Sequence, residues 1–303
     1  MTNISAKIIA DSVSPEGTRF TTMEIEYPRF ILAELNTHRM LSKNSASSRA
    51  IPVAKMHEHI KANTASPVSW GKNMPGMKAK EELQEPELSW AKYIWNHARD
   101  SAINSSQALA DLGVHKQISN RPTESWMLMK TVISGTEWAN FFWLRNHPDA
   151  QPEIHELARK MYAAYNMSVP KVLHPGEWHV PYVDTCRDAS NALCYHDSMG
   201  ERISVEEATI ISASCCAQVS YRKNDDSYEK AIKIYNQLIE SEPAHASPVE
   251  HQATPMCVDT MSRFDPNTWE PGVTHVSANS DLWSGNLRGW IQFRKLIPNE
   301  ARW

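Results

Sequence analysis

Met23, Ile25 and Tyr27 alternate with Thr22, Glu24 and Glu26, the two-residue period of a strand with one buried face. A short apolar run from Lys7 to Asp11 precedes it. Ser14-Pro15-Glu16-Gly17 between the two is a turn signal, so the pair is expected to form a β-hairpin. Pro28 ends the second strand and suits the first turn of a short helix reaching Leu35. The period then lengthens. Leu88, Ala91, Trp95, Ala98, Ala102, Leu109 and Leu112 fall at helical spacing and predict a long amphipathic helix over about 88–112, with Gly113 as its stop. Residues 115–146 are expected to be mostly helical, broken near Pro122 and Gly135.

Pro152 opens another helix, running to Asn166, with Ile154, Leu157, Met161 and Tyr162 on one face. Residues 167–203 show no period and are expected to be irregular. Ser204 with Glu207 three positions later is a capping box for a helix over 205–221. Asp226 caps a further helix through Ile239. Residues 242–286 are rich in loop formers, and 290–296 fits a last strand or a short helix equally well. Helices dominate beside a small antiparallel sheet, so the expected class is α+β, with several long helices packed on that sheet.

The chain has 303 residues, 31 basic and 35 acidic, for a formal charge of −4. That balance argues against nucleic-acid binding through bulk charge but leaves room for a local basic pocket. With 41% hydrophobic and 22% charged residues, global disorder is excluded. Eleven Trp residues can build a sizeable core or stack on flat ligands. No apolar run approaches the ~18 residues of a membrane-spanning helix. The first residues lack the order of a signal peptide, so a cytoplasmic location is expected. The five cysteines (Cys186, Cys194, Cys215, Cys216, Cys257) have no framework spacing and read as reduced thiols. Thirteen histidines raise a metalloenzyme as a rival. His57 with His59 and His174 with His179 are the nearest pairs, and no metal-binding spacing accompanies them, so no metal is expected.

From Asn36 to Arg49 the composition turns abruptly polar and basic. In Thr37-His38-Arg39-Met40-Leu41-Ser42-Lys43-Asn44-Ser45-Ala46-Ser47-Ser48-Arg49, guanidiniums and hydroxyls together make an anion cradle or a solvated loop. Arg145 ends the aromatic stretch Asn140-Phe141-Phe142-Trp143-Leu144. A guanidinium buried there needs an anion, either a ligand phosphate or a protein carboxylate such as Asp149 or Glu153. Trp138, Trp143 and Trp290 suit core packing more than ligand stacking.

Together these segments resemble the flavin-dependent thymidylate synthases. That family's signature is Arg-His-Arg, seven residues, then Ser, and Thr37-His38-Arg39 with Ser47 keeps this spacing, Asn44 and Arg49 matching further positions. Asn140, Arg145 and Ala150 to Ile154 are similar to the family's Asn-x4-Arg with a trailing Ala-Gln-x-Glu-Ile. Ala217-Gln218-Val219-Ser220 and Pro248-Val249-Glu250-His251 resemble elements that stand near the family's N-terminus, so the order here looks circularly permuted. Gln292 to Lys295 with Asn299-Glu300 echoes the Asn36 to Ser45 segment, either as the piece completing the permuted strand or by chance. The long form looks like versions carried by bacteriophages. Two signature positions differ: Thr37 replaces the first Arg, removing one cationic contact, and Ser45 replaces a Glu, which leaves the choice of pyrimidine open.

The resemblance implies a single domain over 1–303 with insertions near 52–86 and 167–203. It implies transfer of a one-carbon unit from methylenetetrahydrofolate to C5 of dUMP with reduction to dTMP, using FAD and NADPH. It implies that Ser47, Arg49 and Arg145 hold the nucleotide, with Gln117 or Arg121 adding contacts. Ser47 and Arg145 would lie at the chemistry. His38, Arg39, Asn44 and Asn140 would contact FAD, and His251 would lie near flavin or folate. The implied assembly is a homotetramer whose sites gather residues from several subunits. Its partners would be nucleotide and folate substrates, without nucleic acid or membrane. Two rivals stay open: hydroxymethylation of dUMP or modification of dCMP by the same machinery, and a non-catalytic flavin- or nucleotide-binding protein.

Overall fold

The computed structural model describes residues 3–219, 227–239, 241–298 and 300–301. The expected hairpin is present: β1 (Ser5–Val13) pairs antiparallel with β2 (Arg19–Pro28), and Gly17 sits in the turn at φ +83°. After Pro28 a 3-10 turn leads into α1 (Leu32–Asn36), then β3 (Ser42–Ser45), α2 (Val53–Ala62) and the long α3 (Glu87–Asp111). Gly113, at φ +80°, takes the left-handed position that stops α3. Then come α4 (Lys116–Ser119), β4 (Leu128–Gly135), α5 (Ala139–Arg145), α6 (Pro152–Met167) and β5 (Lys171–Val172). A small meander follows, β6 (Asp184–Arg187), β7 (Leu193–His196) and β8 (Arg202–Ile203), and then α7 (Val205–Ala217) and α8 (Tyr228–Ile239). Short strands close the chain: β9 (Ala253–Pro255), β10 (His275–Val276), β11 (Leu282–Ser284), β12 (Leu287–Arg288) and β13 (Trp290–Gln292).

The main sheet has the order β3-β4-β2-β1-β5, antiparallel except for the parallel contact of β1 with β5. The class is therefore α+β, as expected. Met23, Ile25 and Tyr27 of β2 and Met129 and Ile133 of β4 share one face. They pack against Phe141 of α5 and Ile154, Leu157, Ala158 and Met161 of α6. Each such side chain contributes about 1.5–3 kcal/mol on full burial, so this face anchors the sheet.

The sequence reading is corrected in several places. Residues 128–135 form the central partner of β2, not helix. From Thr131 onward this strand is buried on both faces, so the run Leu128-Met129-Lys130-Thr131-Val132-Ile133-Ser134 lacks a strand's alternation, and its β-branched centre was the usable signal. Residues 167–203 hold β5 and the β6–β8 meander rather than only irregular chain. The Ser204–Glu207 capping box forms, but the helix ends at Ala217. Ser220, Tyr221, Asp226 and Asn299 lie outside the described residues. Residues 290–296 are both expected forms in turn, a strand and then a 3-10 turn. β13 pairs with β9 and not with the main sheet, so it does not complete the strand after Asn36. In α3 the predicted stripe faces inward only shallowly: Ile103 and Ser106 are buried, while Leu112 is exposed.

The opposite face of the main sheet is polar. Glu24 and Glu26 of β2 stand beside Lys7 and Ser5 of β1 and Lys130 of β4. Further along the same face, Thr22 lies opposite Ser134, and Ser134 lies opposite Ser42 of β3, making a row of hydroxyls. The C-terminal half covers this face. Cys216 and Val219 pack on Val132, and the 3-10 turn Ser247–Glu250 packs near β3. No described helix is long and apolar enough to cross a membrane.

Candidate active site

The two signature segments meet. Arg145 ends α5, whose buried Phe141 lies edge-on to the His38 ring with centroids 4.9 Å apart. Arg145 Nε donates to His38 Nε2 at 2.8 Å, and its guanidinium pairs with Glu34 of α1. Glu34 is therefore the carboxylate partner, not Asp149 or Glu153. Glu153 is instead buried, accepting from the Val68 N–H at 2.8 Å. Sequence separation hid this: Glu34 lies 111 positions before Arg145. His38 is buried, and burial, with the neighbouring Arg145 cation, lowers its pKa to about 4.

Lys43 donates to the carbonyls of His38 at 2.5 Å and Leu41 at 2.7 Å, bracing the loop before β3. Burial lowers this amine to about 8, opposed by the Glu250 carboxylate. Asn44 donates to the Cys216 carbonyl at the end of α7, and Ser247 Oγ donates to Asn44 Oδ1 at 3.4 Å. The Ala217 to Val219 and Pro248 to His251 elements thus pack beside β3 despite their late position in the chain. Ser45 Oγ is bonded to Thr131 Oγ1 at 2.8 Å.

His251 is fully buried. Its Nδ1 is bonded to Ser134 Oγ at 2.8 Å, and its Nε2 is sealed from solvent without a partner among the described residues. Arg39, Arg49, Gln117, Arg121 and Asn140 are exposed. Arg121 pairs with Glu124 at 2.8 Å. Trp138 and Trp290 are core residues, whereas Trp143 is exposed.

A cavity of about 510 Å³ lies on the polar face of the sheet, beneath α2. Ser47 and Ser48 stand on its wall with Lys7, Glu24, Glu26, Lys130 and His59; Arg49 and Arg145 are not among its lining residues. Lys130 pairs with Glu24 at 2.8 Å, and Tyr182 donates to Glu24 at 2.8 Å. Burial pushes the Glu26 carboxyl up. The alternation that marked these residues as the polar side of a strand carried no sign that this side is roofed. Among the described residues no group of three His, Cys, Asp or Glu is arranged to hold a metal ion.

The family model of the thymidylate synthase complementing proteins matches residues 15–171, just over half of the chain. The chain belongs to that family. This makes it a thymidylate synthase-like enzyme, and the matched span holds β2, β3 and β4 of the main sheet together with α5, α6 and both signature segments. No curated protein matches the chain. Among solved structures it is similar to the UMP/dUMP methylase PolB from Streptomyces cacaoi. The form bound with 5-Br UMP is 17% identical, covers 55% of this chain and 91% of its own, and gives a TM-score of 0.46. The form bound with 5-Br dUMP is 16% identical, with the same coverage and TM-score.

The family member's buried imidazoles give a pH expectation. His38, His179 and His251 are held neutral by burial, with pKa values lowered to about 4, 3 and 3. The unfolded chain takes up these protons near pH 6.5, so it binds more protons than the native state below that pH. The stability from these groups is complete above about pH 6.5 and is lost as pH falls toward 4 and then 3. Thermal midpoints are expected to drop between about pH 7 and about pH 4.5, more steeply in the parent than in His38→Gln. Equal slopes would contradict a buried, neutral His38.

Proposed function

We propose that this enzyme moves a one-carbon unit from methylenetetrahydrofolate to C5 of dUMP and reduces it to give dTMP, with FAD as hydride carrier and NADPH as its reductant. The observation that carries this reading is the contact of Arg145 with His38. It joins the two signature segments, which are 107 positions apart in the chain. The residues fit a flavin: Arg39, next to His38 in the chain, and Asn140, on the helix that ends at Arg145, are both exposed, and the buried Nε2 of His251 has no polar partner among the described residues.

Bound reduced FAD supplies the hydride that converts the transferred carbon to a methyl group. The chain's own residues bind and orient. Ser47 and Arg49 hold the nucleotide phosphate, the guanidinium as a planar fork and the hydroxyl as a donor. Arg145 stabilises negative charge that builds on a pyrimidine carbonyl, and Glu34 and His38 fix its plane. His38, Arg39, Asn44 and Asn140 line the flavin position, and Gln117 and Arg121 extend the nucleotide contacts. Arg49 is exposed, and the Ser47 cavity does not reach Arg145. The two arginines therefore serve one nucleotide best in a homotetramer, where one subunit supplies the first and another the second.

Ser45 supports keeping a second substrate in view. Its hydroxyl is taken by Thr131, so no carboxylate reads the base from this position. The full chain is expected to purify yellow or to take up FAD. Incubated with methylenetetrahydrofolate and NADPH, it is expected to convert dUMP to a product of dTMP mass. A colourless protein that cannot be reconstituted with FAD removes the proposal. A hydroxymethyl product, or turnover of dCMP alone, transfers it to the corresponding rival reaction.

A further inference from the structure

A continuous line of hydrogen bonds crosses the covered face of the main sheet. Ser12 Oγ is bonded to His179 Nδ1 at 2.8 Å, and His179 Nε2 to Thr22 Oγ1 at 2.8 Å. Thr22 Oγ1 is bonded to Ser134 Oγ at 2.7 Å, and Ser134 Oγ to His251 Nδ1 at 2.8 Å. All five residues are buried. The line starts on β1, crosses β2 and β4, and ends in the turn before β9. Three of its members, Ser12, His179 and His251, lie outside the matched family span.

Proton counting limits how this line can be arranged. Both rings are neutral, since burial lowers each to a pKa of about 3. A neutral imidazole has one N–H and one bare nitrogen, and each hydroxyl has one proton to give. In one polarity Ser12 donates to His179 Nδ1, His179 Nε2–H donates to Thr22, Thr22 to Ser134, and Ser134 to His251 Nδ1. Every hydroxyl proton is then used, and His251 keeps its proton on Nε2. In the opposite polarity His251 Nδ1–H donates to Ser134 and each later bond reverses. The Ser12 proton is then left over. Ser12 Oγ has no other partner among the described residues, so that arrangement strands a buried O–H as well as a bare buried nitrogen. The first arrangement strands only the N–H of His251.

We propose that His179 is a positioning residue: through Thr22 and Ser134 it fixes His251 as the Nε2–H tautomer, a neutral hydrogen-bond donor. Whatever reaches this nitrogen must bring an acceptor, a carbonyl oxygen or an unprotonated ring nitrogen of a flat heterocycle. The identity of that heterocycle as flavin or folate rests on the function proposed above; the tautomer does not.

The test is nitrogen NMR on full-length protein labelled with ¹⁵N-histidine, His251 being assigned by its loss in His251→Gln. At neutral pH, His251 Nε2 is expected in the protonated range and Nδ1 in the unprotonated range. Ser12→Ala removes the donor at the far end, four hydrogen bonds from His251 along the line. The two polarities then strand equal numbers of donors, and both His251 resonances are expected to move toward the midpoint of the two ranges. Ser12→Thr restores the hydroxyl and is expected to restore the parent pattern. Thr22→Val cuts the line and leaves Ser134 as a terminal donor to His251 Nδ1, so the proton is expected to stay on Nε2 as in the parent. A parent His251 with its proton on Nδ1 overturns the proposal. So does an unchanged His251 in folded Ser12→Ala, or a His251 with its proton on Nδ1 in folded Thr22→Val. If Ser12→Ala fails to fold by circular dichroism, Ser12→Val, which also lacks the hydroxyl, decides. FAD titration of the parent is read separately: failure to bind FAD with the stated tautomer present defeats the flavin reading and leaves the relay standing.

Discussion

Arg145→Ala is expected to lower turnover of the pyrimidine nucleotide by about 10²-fold or more, the size seen when one donor to developing charge is removed. The fold should survive. The pair with Glu34 is partly exposed on both sides, and such pairs contribute about 0–1 kcal/mol. The lost bond to His38 leaves a buried ring nitrogen short of a donor, which adds about 1–3 kcal/mol at most. Activity and stability thus separate, and both are measurable on one sample. Arg145→Lys keeps the charge but not the fork that spans His38 and Glu34, so it should recover little of the turnover. Wild-type turnover in Arg145→Ala would show that this guanidinium only staples α1 to α5.

Ile133→Ala is expected to cost about 2–5 kcal/mol, because truncating a fully buried aliphatic side chain loses its transfer energy and leaves a cavity. Ile133 lies opposite Met23 at the centre of the sheet, with no measurable exposure, inside the core that includes α6. Chemical denaturation reads the effect as a lower midpoint. A loss below about 1 kcal/mol would mean that β4 does not occupy the middle of this core.

Where one face was buried and the other polar, the sequence was readable. The alternation in β2, the capping box at Ser204, the stop at Gly113 and the span of α6 all follow from local rules, and each formed as expected. Double burial obscured β4, since a run enclosed on both sides has no alternation to read. Motif spacing brought out His38 and Arg145 but not Glu34, whose role depends on a fold-level encounter between α1 and α5. The same limit applies to His179. A lone histidine in an irregular segment carries no local mark, and only the sheet register sets Thr22 and Ser134 side by side between it and His251. The polar strand face was legible as polar; that later segments fold back over it was hinted at only by the displaced Val219 and His251 elements.

That covering has a practical consequence for anyone shortening the chain. The family match stops at residue 171, and β5 begins there, at the sheet's outer edge. A fragment ending at this point would keep both signature segments and the α5–α6 side of the core. It would also leave Val132, Thr22 and Ser134 facing water on the other side, with Asn44 deprived of its Cys216 partner. The recognisable half is thus a sandwich missing one slice, and expression boundaries drawn around it would yield sticky, poorly behaved material.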